Sequence, residues 1–454
     1  MKWVALLLII AAAPMIAAWL KTNPRQAPWL WGMLTFIPFV EGPLHLSIAP
    51  FATPLWSGYV KGWEVSLLDA VSIGILLGTR SRWPKLVLVA PFLAYFMATF
   101  LAVFQARFPN LAMSNIVQLS RVFLVLLAAA RIAQSEQGER ALLTGLIAGI
   151  TVQAGAALWE RINGVLQTGG TLGHQNLLGY VTHMVLMPSL AMLLAGRNPK
   201  RAFVGVFLGL FVVALTASRA TIAFAAMGLF LTLMLSLAAK FTGRKAGLAV
   251  AALMLLAIAA PLVKMTLDRR FEKQGITFMT ADTQRLAFER AAKSMMVANP
   301  MGVGPNHYVF IAITEGYAER AKVAWSADNR SAHVHNVYLL VGAESGYMGL
   351  ITLTFLLLSS IFYAFQTGFR YRHMPGAETL IGVGTALVAI CLHGLYEWIF
   401  VTTAAQYVYA GLLGLIIGMR SRFIRQKQSR PTRSTSAAPL TTLQPQLSLS
   451  RPVH

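Results

Sequence analysis

A chain of 454 residues that is 56% hydrophobic and only 12% charged cannot cover a water-facing surface, because soluble domains carry about 25% charged residues. The net charge of +22 sits mostly in short Lys/Arg clusters between apolar runs, which excludes a nucleic-acid footprint and fits positive-inside membrane anchoring. Cys391 is the only cysteine, so no intrachain disulfide forms.

A spanning helix needs about 20 apolar residues, and backbone groups in lipid must be satisfied within the helix itself. Spans are predicted at 3–20, 28–41, 62–79, 86–104, 114–133, 141–159, 175–195, 202–218, 219–239, 246–263, 337–366, 378–395 and 399–419. The first resembles a signal peptide but is long for one, and it is read as a retained span. The fold class is therefore all-α, a polytopic transmembrane bundle of about 12–13 spans. N-terminal helices occupy 1–263, a large loop 264–336, C-terminal helices 337–419, and a basic tail 420–454 that is expected to be disordered and cytoplasmic.

Basic clusters test the register. Arg80, Arg82 and Lys85; Arg131 and Arg140; Arg197, Lys200 and Arg201; Lys240, Arg244 and Lys245; Arg370 and Arg372; and Arg420, Arg422, Arg425 and Lys427 are each two spans apart. All can be cytoplasmic at once. The loops at 42–61, 105–113, 160–174, Ser218, 264–336 and 396–398 then face the other side. Within the largest, Thr283 to Ala298 reads as an amphipathic helix, capped by Asp282 and stopped by Asn299-Pro300.

No Gly-rich nucleotide loop, paired Cys/His spacing or Asp-x-Asp pair is present, and 16 acidic residues make a carboxylate metal site unexpected. No cofactor or metal is expected. Polar groups gather instead on the non-cytoplasmic side: Gly170 to Gly179 with His174 and Asn176, Ser218-Arg219, Arg285, and His333-Val334-His335-Asn336. An arginine at membrane depth lines a polar cavity or has a partner. The run 337–366 exceeds the hydrocarbon thickness, so its N-terminal end is expected to stand in the interface or to bend at the glycines, Gly346 and Gly349. A neutral imidazole at His335 can take a proton from a hydroxyl, and Arg219 and Arg285 offer planar forks for phosphate oxygens. One base and two arginines at a lipid boundary suggest a lipid-diphosphate substrate. The acidic residues in or near spans, Glu64, Asp69, Glu344 and Glu397, show no pairing in the sequence, and no internal repeat is seen. Both observations argue against the alternative reading, a transporter or flippase of lipid-linked glycan.

His335-Asn336, nine residues, then Gly346-Tyr347-Met348-Gly349 resembles the signature of the O-antigen ligase family. Asn176, Ser218-Arg219, Arg285 and Asn299-Pro300-Met301-Gly302-Val303-Gly304 extend the likeness. The resemblance implies a GT-C-like, metal-independent glycosyltransferase, either an O-antigen ligase or a polysaccharide polymerase, in the bacterial inner membrane with a periplasmic site. Its implied partners are membrane lipids, an undecaprenyl-diphosphate-linked glycan donor, and a glycan or lipid A core acceptor, with no nucleic acid. It implies that His335 activates the acceptor and that Arg219 and Arg285 bind the diphosphate, with Asn336, Asn176 and His174 as further substrate contacts. Gly42 to Gly62 is similar to exopolysaccharide polymerases.

Overall fold

The computed structural model describes residues 2–251, 254, 261, 283–326, 329, 331–429. In chain order the helices are α1 (Lys2–Thr22), α2 (Ala27–Phe36), α3 (Leu67–Gly78), α4 (Val89–Ala102), α5 (Pro109–Ile132), α6 (Glu136–Ile162), α7 (Gln175–Leu194), α8 (Pro199–Thr216) and α9 (Arg219–Ala239). They continue with α10 (243–251), α11 (283–298), α12 (Tyr308–Thr314), α13 (Tyr317–Arg320), α14 (Val337–Arg370), α15 (Ala377–His393) and α16 (Thr403–Gln428). Among the described residues eight helices are long and apolar enough to cross a membrane, with shorter apolar helices between them. The chain is a polytopic, all-α membrane protein. The remainder of the span predicted at 246–263, the start of the large loop, Asp282 and the tail from 430 lie outside the described residues.

Residues 62–66 are not helical, as the span at 62–79 had implied. They form β2 (Gly62–Ser66), antiparallel to β1 (Ser47–Ala52), with Ser47 opposite Ser66 and Ala52 opposite Gly62. The helix starts only at Leu67, where the Ser66 N–H donates to Asp69 Oδ2 at 2.7 Å and so satisfies a first-turn donor. Trp3, Phe51 and Trp63 meet edge to face at this end.

The basic clusters converge at the opposite end. Arg131 donates to the Thr79 carbonyl and Gln134 to that of Arg82, both at 2.7 Å. Arg425 reaches Gln134, Arg197 and Arg422 share the buried Glu139, and Lys245 pairs with Glu378. The alternation in sequence is thus a single basic face in space. At the core, Gly414 and Gly418 of α16 leave room for only the backbone, Ala129 of α5 and Ala133 at its C-terminal cap. Small residues of this kind let membrane helices approach closely.

Two acidic residues read as unpaired are paired. Arg121 of α5 bonds Asp69 at 2.8 Å and Glu64 at 2.9 Å, with Glu41 at 3.5 Å. Their sequence separations of 52 to 80 residues hide this contact until the bundle closes.

α14 is broken where the glycines predicted a bend. Gly346 adopts φ +68°, ψ −173°, a region open essentially to glycine alone. The break frees the Ala343 and Glu344 carbonyls, which accept from Val303 N at 3.0 Å and Gly304 N at 2.9 Å, while Tyr347 N donates to the Pro300 carbonyl at 3.1 Å. Asn299–Gly304 therefore docks into the gap as a strand would. The Glu344 carboxyl, 1% exposed, accepts from Tyr308 N and the Tyr59 hydroxyl, and Asn306 bonds both backbone groups of Val60 at 2.9 Å. These bonds fasten the loop after α11, and the hairpin loop, to the top of α14.

Candidate functional site

The site is built at the end away from the basic clusters, where five segments meet. The first is the glycine-rich approach to α7. Glu160 of α6 accepts from the Gly169 and Gly170 amides at 2.9 and 2.8 Å, and Gln153 accepts from Thr171 N at 3.0 Å. The loop so held presents His174 as the N-cap of α7, its Nδ1 accepting from Asn176 N at 3.3 Å. Burial lowers the His174 pKa, against the pull of Glu397 and with the help of His335.

The second segment is the α8–α9 junction. Ala217 turns the chain at φ +48° and Ser218 caps α9 by accepting from Thr221 N at 3.4 Å. Arg219 follows, exposed, at the first position of α9. The third is the first turn of α11, which carries Arg285. The helix runs from 283 to 298 and ends at Asn299, as its sequence predicted.

The fourth and fifth segments face each other across one backbone bond, Val337 N to the Gly394 carbonyl at 2.9 Å. This bond brings the start of α14 beside the short turn after α15. Asn336 is the α14 N-cap, its Oδ1 accepting from Tyr338 N and Leu339 N at 3.0 and 3.1 Å. The turn supplies Glu397, 1% exposed.

Glu397 is where three of the predicted residues, Asn176, Arg285 and His335, converge. Its Oε1 accepts from Asn176 Nδ2 at 2.6 Å and from Arg285 at 3.2 Å, and its Oε2 meets His335 Nδ1 at 3.1 Å. Burial opposes its ionisation, but the hydrogen bond and charge of His335, together with Arg285, outweigh burial and hold the carboxyl below its usual range. A carboxylate facing Nδ1 of His335 favours the tautomer with its hydrogen there, which leaves Nε2 as the acceptor. Glu397 had been noted only as an acidic residue without a partner. The available signal was its position: a carboxylate in a short turn between two apolar spans, on the side of the other polar groups.

Asn176, Arg285 and Glu397 of this group line a cleft of about 790 Å³, whose walls also include Gln175, Ser218, Arg219 and Tyr396; His335 adjoins it through its bond to Glu397. Below the two arginines it becomes apolar, with Ala223, Phe224, Leu392 and Leu395. Such a cleft suits an anion carried on a hydrocarbon chain.

His333 is placed differently. Only 5% exposed, its ring stacks on Trp398 at 4.3 Å and lies near Tyr59 and Tyr308. Burial, with smaller contributions from Lys61 and His335, pushes its pKa down to about 3. It is a neutral ring in an aromatic wall.

None of the curated proteins compared with the chain matches it. Residues 204–354 match the family model described as O-antigen ligase. That stretch contains Arg219, Arg285, His335, Asn336 and the Gly346 break, and it ends before Glu397. Over this segment the chain is similar to the O-antigen ligase family.

Proposed function

We propose that the protein transfers or polymerises an undecaprenyl-diphosphate-linked glycan onto an acceptor hydroxyl at the periplasmic face of a bacterial inner membrane. One observation carries this reading: His335, Arg285 and Asn176 converge on buried Glu397 at the wall of a cleft that also holds Arg219 and turns apolar below.

In this mechanism Glu397 orients His335, and Nε2 takes the proton of the acceptor hydroxyl. The acceptor oxygen bonds to the anomeric carbon as the bond from that carbon to the diphosphate oxygen breaks. The bonding pair leaves with the lipid diphosphate, and Arg219 and Arg285 stabilise the charge that develops there. With two guanidinium groups meeting the diphosphate, the chemistry needs no metal, and turnover is expected to persist in excess chelator. Asn176 positions Glu397, while His174 and Asn336 shape the mouth of the site through their caps.

The converging basic clusters support, by the positive-inside rule, a cytoplasmic reading of their end and so a periplasmic reading of the cleft. Reporter fusions at Pro199 and Lys322 should therefore give opposite signals. Purified protein with lipid-linked glycan and acceptor tests the activity itself. Transfer in detergent, where there is no second compartment, supports the enzyme. Its absence, together with glycan movement across proteoliposomes, would support a carrier, to which the buried Arg121 network would then belong.

A further inference from the structure

Between α12 and α14 the large loop forms a second concavity of about 430 Å³, with a floor of Ile313, Ala318 and Val323 and walls that include Glu319, Trp325 and Asn329. This lies within the roughly 300–1,000 Å³ of small-molecule pockets. Trp325 is 74% exposed. Glu315, Glu319, Arg320 and Lys322 are exposed on the same segment, the composition of a water-facing loop.

An indole wall, an apolar floor, a carboxylate and an amide together make a surface that recognises a sugar ring. The C–H face of a pyranose lies on the aromatic ring, while its hydroxyls donate to a carboxylate and exchange hydrogen bonds with an amide. The pocket is also tied to the site. Ala324 N donates to Gln284 Oε1 at 2.8 Å, and Arg290 donates to the Ala321 carbonyl at 3.1 Å. Successive helix residues point about 100° apart, so α11 carries the pocket segment on Gln284 and the Glu397 contact on Arg285. The two faces lie on one helix, less than its diameter of roughly 10 Å apart.

We infer that this pocket is a glycan subsite that takes a sugar residue of the donor or of the acceptor oligosaccharide. The inference rests on the glycan-transfer reading above and adds where the chain of sugars is held. The test varies lipid-linked donor and acceptor separately for wild type, Trp325→Ala, Trp325→Phe and Glu319→Gln. Trp325→Ala is expected to raise the KM for one substrate about tenfold, more than it changes kcat, as removal of an aromatic anchor does. Trp325→Phe should recover most of the loss, and Glu319→Gln should raise the same KM less. The substrate whose KM moves identifies the source. Unchanged KM for both substrates in Trp325→Ala overturns the subsite. If wild type transfers nothing, the functional reading fails by itself. The pocket is then decided by calorimetric binding of the repeat-unit oligosaccharide released from the host's own lipid-linked donor. Binding to wild type that is lost in Trp325→Ala supports the subsite, and equal or absent binding overturns it.

Discussion

Glu397 bonds Nδ1 of His335 at 3.1 Å and thereby decides which ring nitrogen is left to accept a proton. The carboxylate also holds Arg285 at 3.2 Å, so in the proposed mechanism one buried charge orients both the base and a diphosphate ligand. Glu397→Gln keeps the shape but can present its amide N–H to the imidazole and no longer balances Arg285. Turnover is expected to fall about 100-fold or more, with Glu397→Asp recovering part of it. Normal turnover in Glu397→Gln would remove this residue from the mechanism.

Arg219 and Arg285 enter the cleft from different helices, α9 and α11. Lysine preserves charge but not the planar fork that grips two oxygens. Arg219→Lys and Arg285→Lys are each expected to reduce transfer by about 100- to 1,000-fold, the usual cost of losing one donor to a developing charge. Near-normal rates in both variants would make the arginines interfacial anchors.

Much of this was legible in the sequence because membrane helices leave few alternatives. Spans follow from apolar runs, and the basic clusters, once counted, foretold one basic face. Arg219, Arg285 and His335 stood out as polar groups at span ends. Glu397 did not, because nothing local distinguishes it from any acidic residue in a turn, and its partners lie 62 to 221 residues away. The hairpin at 47–66 was missed for another reason: Trp63 and Val65 continue the apolar pattern of α3, and only pairing with β1 shows them to be extended.

The break in α14 gives a stability prediction. A Cβ on Gly346 would lie 2.4 Å from the Pro300 carbonyl oxygen and 2.6 Å from the Met301 carbonyl carbon, both backbone atoms, at a φ that alanine avoids. Gly346→Ala should cost about 1–3 kcal/mol from backbone strain alone, with further loss as Asn299–Gly304 is displaced. Gly155→Ala, with nothing within 4 Å, is the control. A melting temperature for Gly346→Ala equal to that of the control would show that the break is not needed.

The two histidines of the signature segment should separate in activity. His335 is part-exposed and bonded to Glu397, whereas His333 is enclosed by rings. His335→Ala is expected to lose about 100- to 10,000-fold in turnover, the contribution of a positioned base, while keeping its melting temperature. His333→Phe keeps an aromatic ring in the wall and should retain most activity. The reverse pattern would reassign the base.

His333 also sets how the protein answers acid. A histidine buried in its neutral form binds no proton in the folded chain until about pH 3, whereas the unfolded chain binds one below roughly pH 6.5. Between those values the unfolded state holds the extra proton, so stability falls as pH falls, by about 1.4 kcal/mol per pH unit. Glu397 acts in the same sense, because its carboxyl is held below its usual range in the folded chain. From pH 6.5 to pH 5 the His333 contribution is therefore a loss of roughly 2 kcal/mol. Phenylalanine fills the same aromatic wall against Trp398 and has no proton to bind. The drop in melting temperature between pH 7 and pH 5, measured in detergent, should accordingly be smaller for His333→Phe than for wild type. His174 and His307, whose pKa values are also lowered by burial, should leave a residual drop in the variant. An identical drop in the two proteins would mean that the His333 ring is reached by water or by a counter-charge, and its place as a neutral wall residue would have to be given up.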